Sequence, residues 1–261
     1  MNIAVCIKQV PVSDKVKMDP ITHNLLRENT EMDINVADMN ALTEAIHMKE
    51  KTSCSIHVYT MGSEKARSVL YKALAMGADQ AYLVTDRAFA GGDSLATAKV
   101  LAAALNKGGP YDLILCGAIA SDGATGQVGP MLAQLMELPS VTEGKKLAVT
   151  GEDKMEVFKS WKGRLHHMEI TLPALCTVAL GSNTPILPTL RNQMKAKKRE
   201  IHILTNQDLN LEAAEIGLIG ARSLVTETKP AAWSGKHSKM LQGSLEDMAE
   251  ETLKLLREAR G

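Results

Sequence analysis

Along the first 140 positions, apolar residues alternate between two rhythms: short unbroken runs, and longer stretches in which they recur every three or four places. The unbroken runs at residues 2–7, 55–60, 81–84 and 113–116 read as buried strands. The spaced runs at residues 36–51, 63–76, 94–105 and 126–136 read as helices with one apolar side. Ala41, Leu42, Ala45, Ile46 and Met48 make that side in the first helix, and Ala66, Val69, Leu70, Ala73 and Leu74 make it in the second. Gly77 stands where a helix C-cap asks for a left-handed residue. Strand–helix–strand repetition of this kind predicts crossover connections, and hence an α/β fold: a Rossmann-like parallel sheet with helices on both faces. Ligands of such sheets sit beyond the carboxyl ends of the strands, which nominates the loops at 8–12, 60–62, 86–94 and 117–129.

The rhythm shortens after Pro139. Residues 145–149, 156–160 and 164–170, turning near Gly151 and Gly163, predict a small antiparallel meander. Residues 174–179 return to a buried strand, followed by a loop with Pro185 and Pro188 and a basic run at 195–199. Residues 226–243, rich in Thr, Ser, Lys and Gly, read as an arm leading to an amphipathic helix at 244–260. The chain therefore divides into a nucleotide-binding α/β domain, 1–225, and a C-terminal arm and helix, 226–261. That helix either docks on a partner subunit or packs on its own domain.

Composition narrows the partners. Acidic and basic side chains balance at 30 each, so no net field favours nucleic acid or an anionic membrane. With two Trp, two Phe and four Tyr, the chain offers little for base stacking. No apolar run approaches the roughly 18 residues of a membrane span, and the N-terminus reads as a strand and not as a leader. Cys6, Cys54, Cys116 and Cys176 lie scattered in or beside apolar runs, as small buried residues of a cytoplasmic protein do. No Ser–His–Asp or paired-carboxylate set can be assembled, and adjacent His166 and His167 point to opposite faces of a strand, so neither catalytic residues nor a metal set is assigned.

The sharpest local signal runs from Cys116 to Pro130, where a strand gives way to a helix through Gly117, Gly123, Gly126 and Gly129. Glycine lets backbone approach a bulky ligand, and free amides at a helix start favour phosphate. Thr125 and Gln127 can add donors, while Asp122 either caps the helix or accepts from a ribose hydroxyl. By spacing alone, the segment is equally a phosphate cradle or a tight structural turn.

The run Asp122-Gly-Ala-Thr-Gly-Gln-Val-Gly-Pro130 resembles the nucleotide loop of electron-transfer flavoprotein β subunits. Four other stretches agree in the same order: Val5 to Pro11; Asn35, Asp38, Asn40, Ala41, Leu42, Glu44 and Ala45 within 35–49; Ala73 to Asp79; and Met194 to Lys198. This resemblance implies an adenine-nucleotide α/β domain pairing with a homologous α subunit. The nucleotide is FAD in members that bifurcate electrons and AMP, as a structural cofactor, in those that do not. Val16 to Pro20, Gly126 to Pro130 and the loop from Asp86 to Ser94 are similar to the bifurcating type, which implies FAD, NADH as electron donor, and ferredoxin and a flavin-dependent dehydrogenase as acceptors. The implied cofactor contacts are Lys8, Gln9, Val10, Asn40, Met61, Gly62, Asp93, Thr97, Asp122, Gly123, Thr125, Gly126, Gln127 and Val128. Leu190 aligns with the anchor leucine that enters a dehydrogenase pocket, and Lys195 and Lys198 would steer an acidic partner or simply line a solvated strand entrance. Departures are Ile119 for the usual Gln, Ala124 for Asp, Val12 for Asp and Ile186 for Arg. An ATP-using ligase of the related fold would need a Ser-Gly-Gly-x-Asp-Ser loop where this chain has Lys8-Gln9-Val10-Pro11.

Overall fold

The computed structural model describes residues 1–12, 31–226 and 240–258, so the stretch at 16–20 lies outside the described residues. The chain forms two compact units, Met1–Val225 and Thr226–Gly261.

The first unit begins with β1 (Asn2–Cys6), β2 (Gln9–Pro11), β3 (Met32–Ile34), α1 (Val36–Lys51) and β4 (Ser55–Met61). It continues with α2 (Arg67–Met76), β5 (Gln80–Val84), α3 (Ser94–Gly108), β6 (Leu113–Gly117) and α4 (Val128–Leu135). Then follow β7 (Ser140–Val149), β8 (Lys154–Trp161), β9 (Arg164–Thr171), β10 (Ala174–Val178), α5 (Leu190–Ala196), β11 (His202–Leu204), α6 (Asn206–Leu209) and α7 (Gly217–Gly220). Among the described residues, the second unit contributes α8 (Leu245–Glu258), whose Leu245, Leu253, Leu255 and Leu256 are exposed. No helix of the described residues is long and apolar enough to cross a membrane.

Nine strands form one sheet in the order β11-β5-β4-β1-β6-β10-β7-β8-β9; β2 and β3 pair antiparallel in a second. From β11 to β7 neighbouring strands are parallel, and β7, β8 and β9 are the antiparallel meander. Side chains alternate across β1. Ile3 and Val5 join the core cluster of α1 and α2, while Ala4 and Cys6 join that of α3 and α4. Burial on both faces explains why these strands read as unbroken apolar runs. The chain goes from β1 outward to β4 and β5, then returns through α3 to β6 on β1's other side. The strand order therefore reverses between β1 and β6, the place where such sheets open a crevice.

Three boundaries differ from the sequence reading for local reasons. The helix expected at 126–136 starts at Val128, because Ala124 (φ 50°) and Gly126 (φ 62°) are left-handed and keep the chain turning until Gln127. The helix expected at 63–76 opens as a single 3-10 turn, Glu64–Ala66, before α2. The meander is not separate from the main sheet, since β7 starts at Ser140 beside β10. Its left-handed Glu143 (φ 59°) and Gly144 break the register, and Leu147, Met155, Val157 and Ile170 bury in the α1–α2 cluster. Strand β11 and helix α5 were not expected; α5 follows two prolines and is capped by Thr189, whose hydroxyl accepts the Asn192 amide. Gly77 (φ 140°) ends α2 as expected.

Gly129 lets α4 lie flat on the sheet: a Cβ there would collide with Thr177 Cγ2 and stand 3.0 Å from Cys116 Sγ. Gly129→Ala is expected to cost about 1–3 kcal/mol in a urea unfolding titration, the usual penalty for forcing a methyl into a packed core. A variant as stable as the parent would disprove this account of the glycine.

Candidate nucleotide-binding site

The crevice between β1 and β6 is held at its floor by one carboxylate. Asp38, in the first turn of α1 and buried, accepts the Lys8 amide on Oδ2 at 2.7 Å and the Gly117 amide on Oδ1 at 2.9 Å. It thereby ties together the two strand ends at which the sheet order reverses. Gly117 is required there, because a Cβ would run into Asp38 Oδ1 and the Ala37 backbone. Asn35 repeats the device one turn earlier: its Nδ2 donates to Ile119 O at 2.8 Å, and its Oδ1 accepts the Ser121 amide at 3.2 Å. Burial pushes the Asp38 carboxyl up, while hydrogen bonds from Lys8, Asn35 and Gly117 pull it down, leaving its pKa at about 7. Burial also drives the neighbouring Cys6 thiol up to about 12, which keeps it protonated and inert.

Above this floor the turn at 122–128 is exposed except for half-buried Asp122 and Val128. Asp122 neither caps α4 nor stands free: its Oδ1 takes the Lys8 Nζ at 2.7 Å and the Gly123 amide at 2.8 Å. The Ala124 amide donates to Ala120 O, and the Gln127 amide leans on Thr125 Oγ1 at 3.5 Å. Among the described residues, the Thr125 and Gly126 amides donate to no partner, and Val128 opens α4 with its amide unclaimed. Of Gly123, Gly126 and Gly129, Gly126 has a positive φ, Gly129 serves packing inside α4, and Gly123 is open to solvent.

A second ledge faces this turn. Asp93 caps α3, its Oδ1 accepting from the Leu95 and Ala96 amides at 3.1 and 3.0 Å, and its Oδ2 from the amides of Arg222 and Ser223 and the Ser223 hydroxyl. Against the raising effect of its partial burial, those donors lower its carboxyl to about 2. Asp93 is thus wholly occupied in fixing the ledge. Asp86 fixes the other end, accepting the Ala88 and Asn206 amides at 2.9 and 3.0 Å. Ser94 Oγ meets Thr125 Oγ1 at 3.2 Å, which joins the ledge to the turn. Thr97, one turn into α3, is half-buried, as are Met61, the last residue of β4, and Gly62 after it.

Other residues nominated from the sequence work as supports. Gln9 is buried and its Nε2 donates to Lys65 O and Ser68 Oγ, while Val10 is buried in β2. Asn40 is fully buried and spent on the 181–183 loop: its Nδ2 donates to Asn183, and its Oδ1 accepts the Gly181 amide. Asn35 and Asp38 were part of the quoted motif but had no assigned role; the signal was two short polar side chains at the head of a helix following a strand. Away from the crevice, Leu190 is exposed on α5, where it shares a shallow surface with Arg191, Met194, Lys195 and Lys198. The basic run 195–199 begins in the last turn of α5, and its Arg199 donates to Ala78 O and Asp79 O just past the end of α2.

Residues 22–209 match the electron transfer flavoprotein domain family. Over 229 residues, 87% of each chain, the protein is 43% identical to the electron transfer flavoprotein subunit beta of Thermoanaerobacterium thermosaccharolyticum. It is 39% identical over 220 residues to subunit CarD of the caffeyl-CoA reductase–Etf complex of Acetobacterium woodii, covering 84% of this chain and 83% of that one. Protein FixA of Azotobacter vinelandii is 33% identical over 248 residues, 93% and 88% of the two chains.

The raised pKa of Asp38 gives the crevice a pH signature. A carboxyl that holds its proton better when folded stabilises fully below its ordinary pKa of 3.8 and loses that contribution as pH rises through about 7. The stability advantage of the parent over Asp38→Asn is expected to shrink across that window, by at most about 1.4 kcal/mol per pH unit. Urea titrations at both ends of the window measure it; an advantage that grows with pH would contradict the assignment.

Proposed function

The chain belongs to the electron transfer flavoprotein family, as a β-subunit member, and from that premise we propose that it binds FAD in the β1–β6 crevice and serves electron bifurcation. What carries this reading is the contact between Ser94 and Thr125. It brings together the two loops that the resemblance assigns to one flavin, the 86–97 ledge for ribityl and diphosphate and the 122–128 turn for diphosphate. The residues fit such a group. The unclaimed Thr125 and Gly126 amides and the start of α4 are donors of the kind a diphosphate needs, and Gly126 adopts a backbone geometry that other residues resist. Asp86 and Asp93, engaged at both ends of the ledge, hold it rigid, and Asp38 fixes the spacing of the two strand ends beneath.

FAD held there would supply the redox chemistry, dividing electrons from NADH between ferredoxin and, through the FAD of a homologous α subunit, a partner dehydrogenase. The chain's own contribution is to bind, orient and shield. The turn at 123–127 is open to solvent, so a ligand on it needs a second surface to close the site, which the α subunit provides in this reading. The relative CarD, named as part of a reductase–Etf complex, supports a dehydrogenase or reductase as the further partner. Leu190 and the neighbouring Lys195 and Lys198 form the surface for it: an exposed apolar knob ringed by positive charge. The second reading, a structural AMP in the same turn, draws on the same free amides.

Purification with the α subunit, followed by cofactor extraction, decides between them. Two FAD per heterodimer are expected, and one flavin with one AMP would overturn the bifurcating assignment. Leu190→Asp is expected to leave flavin content unchanged and to slow reduction of the partner dehydrogenase about tenfold or more, the effect of a lost interface anchor. Undiminished coupling would remove Leu190 from that interface.

A further inference from the structure

The turn that would hold phosphates carries a carboxylate of its own. Asp122 is only 8% exposed in its side chain, and its Oδ1 shapes the turn by accepting the Gly123 amide at 2.8 Å. A second carboxylate, Asp38, lies beneath, bonded to the Lys8 amide. An anionic ligand brought to these groups meets like charge, which opposes binding. Against them stands the Lys8 ammonium, 2.7 Å from Asp122 Oδ1, so close over the turn that a Cβ on Gly123 would lie 3.8 Å from Nζ. Lys8 crosses from the end of β1 to the loop after β6, spanning the crevice at the point where the sheet order reverses.

We propose that Lys8 is a positioning residue that acts through Asp122: it cancels the charge of the carboxylate that shapes the turn, and so lets the backbone amides donate to a phosphate. The phosphate's own ligands are those amides. Turn geometry needs Asp122, phosphate binding needs Asp122 neutralised, and Lys8 reconciles the two. The inference rests on the nucleotide reading above and adds to it the source of the site's tolerance for a polyanion. The size of the effect follows the ligand's charge: none for a neutral nucleoside, and progressively more for one phosphate and for two.

The test uses the complex with the α subunit, freed of nucleotide and titrated calorimetrically with adenosine, AMP and ADP. Lys8→Met is expected to leave adenosine binding unchanged and to weaken AMP about tenfold and ADP up to about a hundredfold, as an uncompensated charge a few ångströms away would. Lys8→Arg should restore binding, and Asp122→Asn, which still accepts the Gly123 amide, should not weaken it. The double variant Lys8→Met/Asp122→Asn should return to within about threefold of the parent, the signature of a pair coupled to each other. A double variant as weak as Lys8→Met would overturn the proposal by making Lys8 a direct phosphate ligand, and an equal loss for adenosine would overturn it by making Lys8 merely structural. A parent complex that binds none of the three would overturn the nucleotide reading itself, and this inference with it.

Discussion

The contact on which the rest depends is the bridge from the Asp38 carboxylate to the amides of Lys8 and Gly117. Where the strand order reverses, the chain leaving β1 and the chain leaving β6 turn to opposite faces of the sheet, and the first residues of the two loops must be held together across the crevice that opens there. A buried carboxylate solves this by taking one amide on each oxygen. The bridge sets the width of the crevice, and everything above it inherits that width: the path of Lys8 toward Asp122, the exit of the 118–121 loop past Asn35, and the start of α4. It also explains two requirements far apart in sequence, a glycine at 117 and a small acid in the first turn of α1.

The site is assembled from backbone fixed by polar side chains whose own hydrogen-bonding capacity is already used. Asp93 and Asp86 serve the 86–97 ledge, Asn40 serves the 181–183 loop, and Gln9 serves the start of α2. Gln9, Asn40 and Asp93 read as ligand contacts only through the family resemblance, which matches their positions and not their hydrogen-bond partners. In the folded chain they are braces, and the groups left over for a ligand are amides and a few hydroxyls.

This division decides what could be read beforehand. The alternation of strands and helices was plain, and α1 was placed to the residue, because burial on both sheet faces leaves unmistakable apolar runs. The 122–128 turn was visible through its glycines. The start of α4 after it was misplaced because Ala124 takes a left-handed conformation that alanine does not advertise. The role of Asp38 was hidden, since its acceptors' partners are backbone amides 30 and 79 residues away in sequence, with no side-chain pattern to betray them. Helix α5 was hidden by its prolines, and β11, three residues at a sheet edge, carries too little apolar periodicity to announce itself.

Because the exposed turn presents chiefly backbone amides, what it offers depends little on side-chain identity. Replacing Gln by Ile119 or Asp by Ala124 leaves the donors in place, as long as the glycine at 126 and the floor beneath persist. A lineage could therefore drift through many side chains at this turn while keeping the same set of free amides. In the proposed reading FAD and AMP would draw on that same set, so a change of cofactor would need no rebuilding of the fold.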